Sequence, residues 1–153
     1  MLKKLRQLQN TIAQVTEYAE KYPRDLVHKK PDGKEFSATE IIYHLLEVEE
    51  LWQRRIHQLL KSDDKHFQQI DPDALAKLNA YNDQSYDDGI ADWKAAREET
   101  IDLIEAMTDA ECHTIGIHSR YGEMDMYRIS TIMADHDIQH LRQLERTLAS
   151  VNS

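Results

Sequence analysis

The stretch MYRISTIMADHDIQHLRQLERTLA, residues 126–149, decides how this chain is read. Ile129, Met133, Leu144 and Leu148 recur at the spacing of one helix face, and Asp125 stands before them as an N-cap. Inside the same apolar arc lie two polar rings, His136 and His140. At about 100° per residue they are within roughly 40° of each other. Burying an unpartnered polar ring costs roughly 1–3 kcal/mol. Two such rings, one turn apart on a core-facing stripe, need partners. The i,i+4 spacing points both to one side of the helix, where both can reach a single ion.

Three more helical patterns precede this one. The first covers about residues 2–21, with Leu2, Leu5, Leu8, Ile12, Val15 and Tyr18 on one face and Pro23 ending it. The second runs from about 38 to 61. Ser37 and Glu40 form a capping-box pattern ahead of the stripe Ile41, Leu45, Val48, Trp52, Ile56 and Leu59. The third covers about 86–108, where Tyr86, Ile90, Trp93, Thr100, Ile104 and Met107 share a face that Arg97 interrupts. Residues 62–85 make a long connection with a short helix expected near 73–80; a link of that size suits a crossover along a bundle. Residues 112–125 carry β-type alternation and two glycines, which reads as a loop or short hairpin.

Only four glycines and three prolines punctuate 153 residues. Few breakers mean few turns and long elements. The expectation is an all-α chain forming one domain over residues 1–153, four helices around one core. Nineteen basic against twenty-eight acidic residues give a net charge of −9, which repels phosphate backbones and anionic lipid and disfavours both as partners. No segment approaches the roughly 18 apolar residues of a membrane span. The single cysteine, Cys112, cannot form an internal disulfide, which fits a reducing compartment, and the cytoplasm is the expected location.

Two histidines do not complete a zinc site, since catalytic zinc takes about three protein ligands plus water. His44 is the candidate third, at the edge of the second helix's apolar stripe. His28, His57, His66, His113 and His118 fall in polar connections or off the stripes and read as surface residues. Asp137 occupies the glutamate slot of an H-E-x-x-H-like pattern. It could serve as a base or as an acceptor behind a ligand, but an ordinary surface aspartate is the plainer reading.

These residues resemble a known family. FSATEIIYHLLEVE, residues 36–49, is similar to the opening of helix 2 in the DinB/YfiT-like superfamily, and DHDIQHLRQL, residues 135–144, resembles its His-Asp-x-x-His-x-x-Gln close. Tyr121-Gly122-Glu123 fits the family's approach to the last helix, while Phe36 stands where many relatives carry Trp. The resemblance implies an up-down-down-up four-helix bundle, often a homodimer. It also implies a metal site of His44, His136 and His140 with open coordination positions. Function in that superfamily is mixed: some relatives use a low-molecular-weight thiol in S-transfer or isomerisation, and others are described as metal-dependent hydrolases.

Three functional expectations follow. A metal-dependent enzyme could hold a thiol cofactor as thiolate for attack on a small electrophile. It could instead hydrolyse a small-molecule substrate by acidifying water. A non-catalytic bundle would use its metal structurally, through a closed four-ligand site. Imidazole ligands suit zinc first, with nickel, iron and copper open.

Overall fold

Local chemistry sets most helix boundaries. In the computed structural model, which describes residues 1–153, the Ser37 hydroxyl accepts from the Glu40 backbone N–H at 3.1 Å, and the Glu40 carboxylate accepts from the Ser37 N–H at 3.1 Å. This capping box opens α2, Ala38–Lys61, after α1, Leu2–Lys21. A short strand β1, His66–Phe67, follows, then α3, Pro72–Leu78, capped by Asp71. Ser85 caps α4, Tyr86–Glu105. The apolar period carries this helix to about residue 108. It stops at Glu105 because Thr108 and Glu111 build a second capping box that starts α5, Asp109–Cys112. Asp125 caps α6, Met126–Val151.

The all-α expectation needs one correction. Gly116–His118 (β2) and Gly122–Met124 (β3) form the expected hairpin, but β1 adds to it in parallel, giving a three-stranded sheet in the order β1-β2-β3. The pairing of Phe67 with His118 joins segments too far apart for any local pattern to register it. Gly116 permits the close approach: a Cβ there would stand 2.6 Å from the buried Phe67 ring.

The four long helices pack as a ring, α1 on α6, α6 on α2, α2 on α4 and α4 on α1. Their apolar residues divide into two clusters. One holds Leu5, Leu8, Trp52, Ile56, Ile101, Ile104, Ile129 and Met133, with Phe67 of the sheet. The other holds Val15, Ile41, Leu45, Ile90, Trp93 and Leu144. Fully burying each such side chain stabilises the fold by roughly 1.5–3 kcal/mol. Leu2, predicted on the first helix's core face, is 64% exposed because the core begins only at Leu5. No helix is long and apolar enough to cross a membrane.

Between the clusters each long helix contributes a buried polar residue: Thr11, Glu49, Arg97 and Asp137. In sequence each lies between its helix's members of the two clusters, as Arg97 does between Trp93 and Ile101. The core is therefore two apolar layers with a polar layer between them.

Candidate metal centre

The three predicted histidines meet beside this polar layer. His136 and His140 project from α6 one turn apart, and His44 projects from α2. The Nε2 atoms of His44 and His136 are 3.1 Å apart, and those of His140 and His136 are 3.0 Å apart. One nitrogen from each ring lies within 4.8 Å of the other two. His44 is buried rather than half-exposed at a stripe edge, with the Phe36 ring centroid 6.1 Å from its own.

Hydrogen counting tests whether a cation fits. His140 Nδ1 is 2.6 Å from the Gln143 side-chain oxygen, which can only accept, so Nδ1 carries the ring hydrogen and Nε2 presents a lone pair. His136 Nε2 faces both other rings but carries one hydrogen at most. With neutral rings a hydrogen can lie along only one of these two short contacts, and two nitrogens stay opposed across the other. A divalent ion relieves the opposition, since metal–imidazole distances of about 2.0–2.1 Å place neighbouring nitrogens roughly 3.0–3.4 Å apart. Protonation is also disfavoured. Burial, then the neighbouring His140, pushes His44 down to about 3. Burial, then His140, His44 and Arg97, pushes His136 down to about 2. Burial also lowers His140, partly opposed by its bond to Gln143 and by Asp137. Neutral imidazole is the form that ligates metal. The donor set fits the group.

Asp137 is not a surface residue. It is 1% exposed and turned away from the histidines toward α4 and α1. Its Oδ2 accepts from Arg97 Nη1 at 2.6 Å and from the Thr11 hydroxyl at 2.6 Å, and its Oδ1 accepts from Arg97 Nη2 at 3.0 Å. Arg97 also donates Nε and Nη2 to the two Glu49 oxygens at 2.9 and 2.8 Å. Burial alone would lower the Arg97 pKa, but the two carboxylates outweigh it and raise it, so the guanidinium stays charged. The network fixes α2, α4 and α6 at the level of the histidines. Sequence reasoning saw Arg97 only as an interruption. A charge in a core stripe was itself the signal that a buried counterion lay elsewhere.

Beside the histidines opens a cavity of about 270 Å³, lined in part by Val48, Leu51, Trp52, Arg55, His118 and Ile132 and by no carboxylate. His118 is a second correction: it is 2% exposed, because the sheet turns it inward. His28, His57, His66 and His113 are exposed, as expected. A roomier groove of about 510 Å³ between α1 and α4 contains no histidine or cysteine.

A helical bundle whose facing helices converge three neutral imidazoles defines a class, bundle proteins built around a metal-ready pocket. Residues 7–144 match the model of the DinB superfamily, and the chain belongs to that superfamily. Among solved structures it is similar to YfiT from Bacillus subtilis, described as a probable metal-dependent hydrolase with an unusual four-helix bundle topology. The two are 14% identical, with 96% of this chain and 86% of that chain covered and a TM-score of 0.79. At that identity the likeness establishes a shared four-helix fold. No curated protein matches the chain.

Proposed function

We propose that the chain is a metal-dependent enzyme in which His44, His136 and His140 hold one divalent ion, zinc in first place, and which transfers a low-molecular-weight thiol to a small electrophile. The observation that carries it is three converging imidazole nitrogens with no fourth histidine, cysteine or carboxylate in the group. Asp137, the carboxylate that follows His136 in sequence, is held by Arg97. Three ligands leave an open position, the mark of catalytic rather than structural zinc. Bound there, the ion would supply Lewis acidity that keeps a thiol ionised at neutral pH or acidifies water.

The cavity wall favours the thiol. Metal-assisted hydrolysis commonly uses a carboxylate as general base, and none lines this cavity. An ionised thiol needs no such base. The wall residues Val48, Leu51, Trp52 and Ile132 bind the apolar part of a substrate and exclude water from it. Cys112 is buried and absent from the cavity lining, so the sulfur comes from the cofactor. Hydrolysis is the second reading, favoured by the description of YfiT.

The same proposal includes one domain in up-down-down-up order. Lys4 bonds Thr131 and Thr11 bonds Asp137, while Tyr43 bonds Ser85 and Gln53 bonds Ala96. These pairs step in the same direction and support parallel runs of α1 with α6 and of α2 with α4. A cytoplasmic homodimer acting on a small molecule, without nucleic acid or membrane as partner, completes the reading.

Elemental analysis of untagged chain, wild type and each His→Ala variant, tests the site. One ion per chain, lost in all three variants, is expected. Full metal content in any variant removes that residue from the ligand set. Turnover of a haloaromatic electrophile with a thiol, compared with ester hydrolysis, separates the two reactions. Hydrolysis without thiol transfer would select the second.

A further inference from the structure

Two arginines are buried in this bundle, and they are satisfied differently. Arg97 has two carboxylates. Arg55 is 6% exposed and forms no salt bridge with a carboxylate. Its one protein hydrogen bond runs from Nη2 to the backbone carbonyl of Gln68. The guanidinium lies 4.7 Å from the Trp52 ring centroid and 5.9 Å from that of Phe67. Nε and Nη1 donate to no protein acceptor, neither is sealed from solvent, and Arg55 lines the cavity. A buried guanidinium without a counter-charge is costly, and here it borders the cavity of the three histidines.

His118 lies in the same wall. Its Nδ1 accepts from the backbone N–H groups of Arg120 at 3.0 Å and Tyr121 at 3.2 Å. A ring nitrogen that accepts carries no hydrogen, so the hydrogen is on Nε2, which meets no protein acceptor. A fixed cation and a neutral N–H donor thus border one cavity that holds no carboxylate.

Helix geometry sets the span. His44 and Arg55 are eleven residues apart on α2, three turns plus about 20°, so they share a face with α-carbons about 16 Å apart. The arginine side chain leans back toward the helix N-terminus, which brings its head to on the order of 10 Å from the histidines. Val48, Leu51 and Ile132 line the same cavity.

We propose that Arg55 and His118 form an anion subsite. The substrate or thiol is then an elongated small molecule with a reacting end at the three histidines, an apolar middle and a carboxylate docked on Arg55 and His118. This rests on the metal-site reading above.

The test uses cobalt(II)-loaded chain titrated with 6-mercaptohexanoate and with 6-mercaptohexan-1-ol, matched in length and differing in the anion. Thiolate-to-cobalt absorption reports the metal end, and the affinity ratio reports Arg55. The acid is expected to bind about tenfold or more tightly, as a charge-assisted bond provides. Arg55→Met abolishes the preference, Arg55→Lys keeps part of it, and His118→Gln narrows it. Equal affinities in wild type overturn the anion subsite while leaving the metal site standing, and this outcome does not depend on whether Arg55→Met folds. If cobalt is not held, the metal reading fails. The subsite is then judged by calorimetric titration of metal-free chain with hexanoate and 1-hexanol, where a hexanoate preference that Arg55→Met or Arg55→Lys weakens upholds it and no preference overturns it.

Discussion

Replacing Arg97 by methionine tests the polar layer. The substitution keeps the length of the side chain and removes its charge. Two carboxylates, Glu49 and Asp137, would then face each other in the core with side-chain exposures of 2% and 1%. Asp137 would keep only its bond from Thr11. Removing one partner of a buried ion pair costs about 3–5 kcal/mol. For a chain of this length each kcal/mol lowers the melting temperature by about 2–4 °C, so Arg97→Met should melt roughly 6–20 °C below wild type. Circular dichroism melts and urea titration measure it. Arg24 and Asp87 provide the control, at 2.9 Å but with side chains 41% and 69% exposed, so Asp87→Asn should cost less than about 1 kcal/mol. Replacing all three members, Arg97→Met with Glu49→Leu and Asp137→Leu, should recover most of the loss, because well-packed apolar side chains need no counter-charge. An Arg97→Met loss below about 1 kcal/mol, or a triple variant no more stable than the single one, would refute the claim that charge pairing holds this layer.

Four further outcomes are expected. Chelation should lower the melting temperature but leave a cooperative transition, since a ligand at a hundredfold excess over Kd contributes only about 2.7 kcal/mol; calorimetry with and without chelator checks this. His44→Ala should keep wild-type helicity and lose metal binding and turnover together; unchanged turnover in verified metal-free variant would sink both enzyme readings. Gly116→Ala should destabilise by about 1–3 kcal/mol, because the new Cβ meets the Phe67 ring at 2.6 Å; a urea midpoint equal to wild type contradicts that packing. In chelated chain, His44 and His136 have folded pKa values near 3 and 2, below the unfolded value near 6.5. Their stabilising effect is therefore complete above about pH 6.5 and lost as pH falls toward about 3, so melting temperatures that hold steady from pH 7 to 4 would count against burial of these rings.

Much of this protein is written locally. Four apolar stripes, the Ser37–Glu40 capping box and the scarcity of glycine and proline determine the helices, because period and caps act within a turn or two of chain. The same period placed His136 and His140 on one face, and their polarity in an apolar arc marked a site. What needed the tertiary structure is what joins distant segments. The partners Thr11 and Asp137 are 126 residues apart, and Arg97 and Asp137 are 40 apart. The turn of His118 into the cavity depends on a strand pairing between Phe67 and His118. A helical period says which face is buried but not which residue of another helix it meets. That choice is made by side-chain packing between helices, where a buried charge must find its counter-charge or keep none, as Arg55 does.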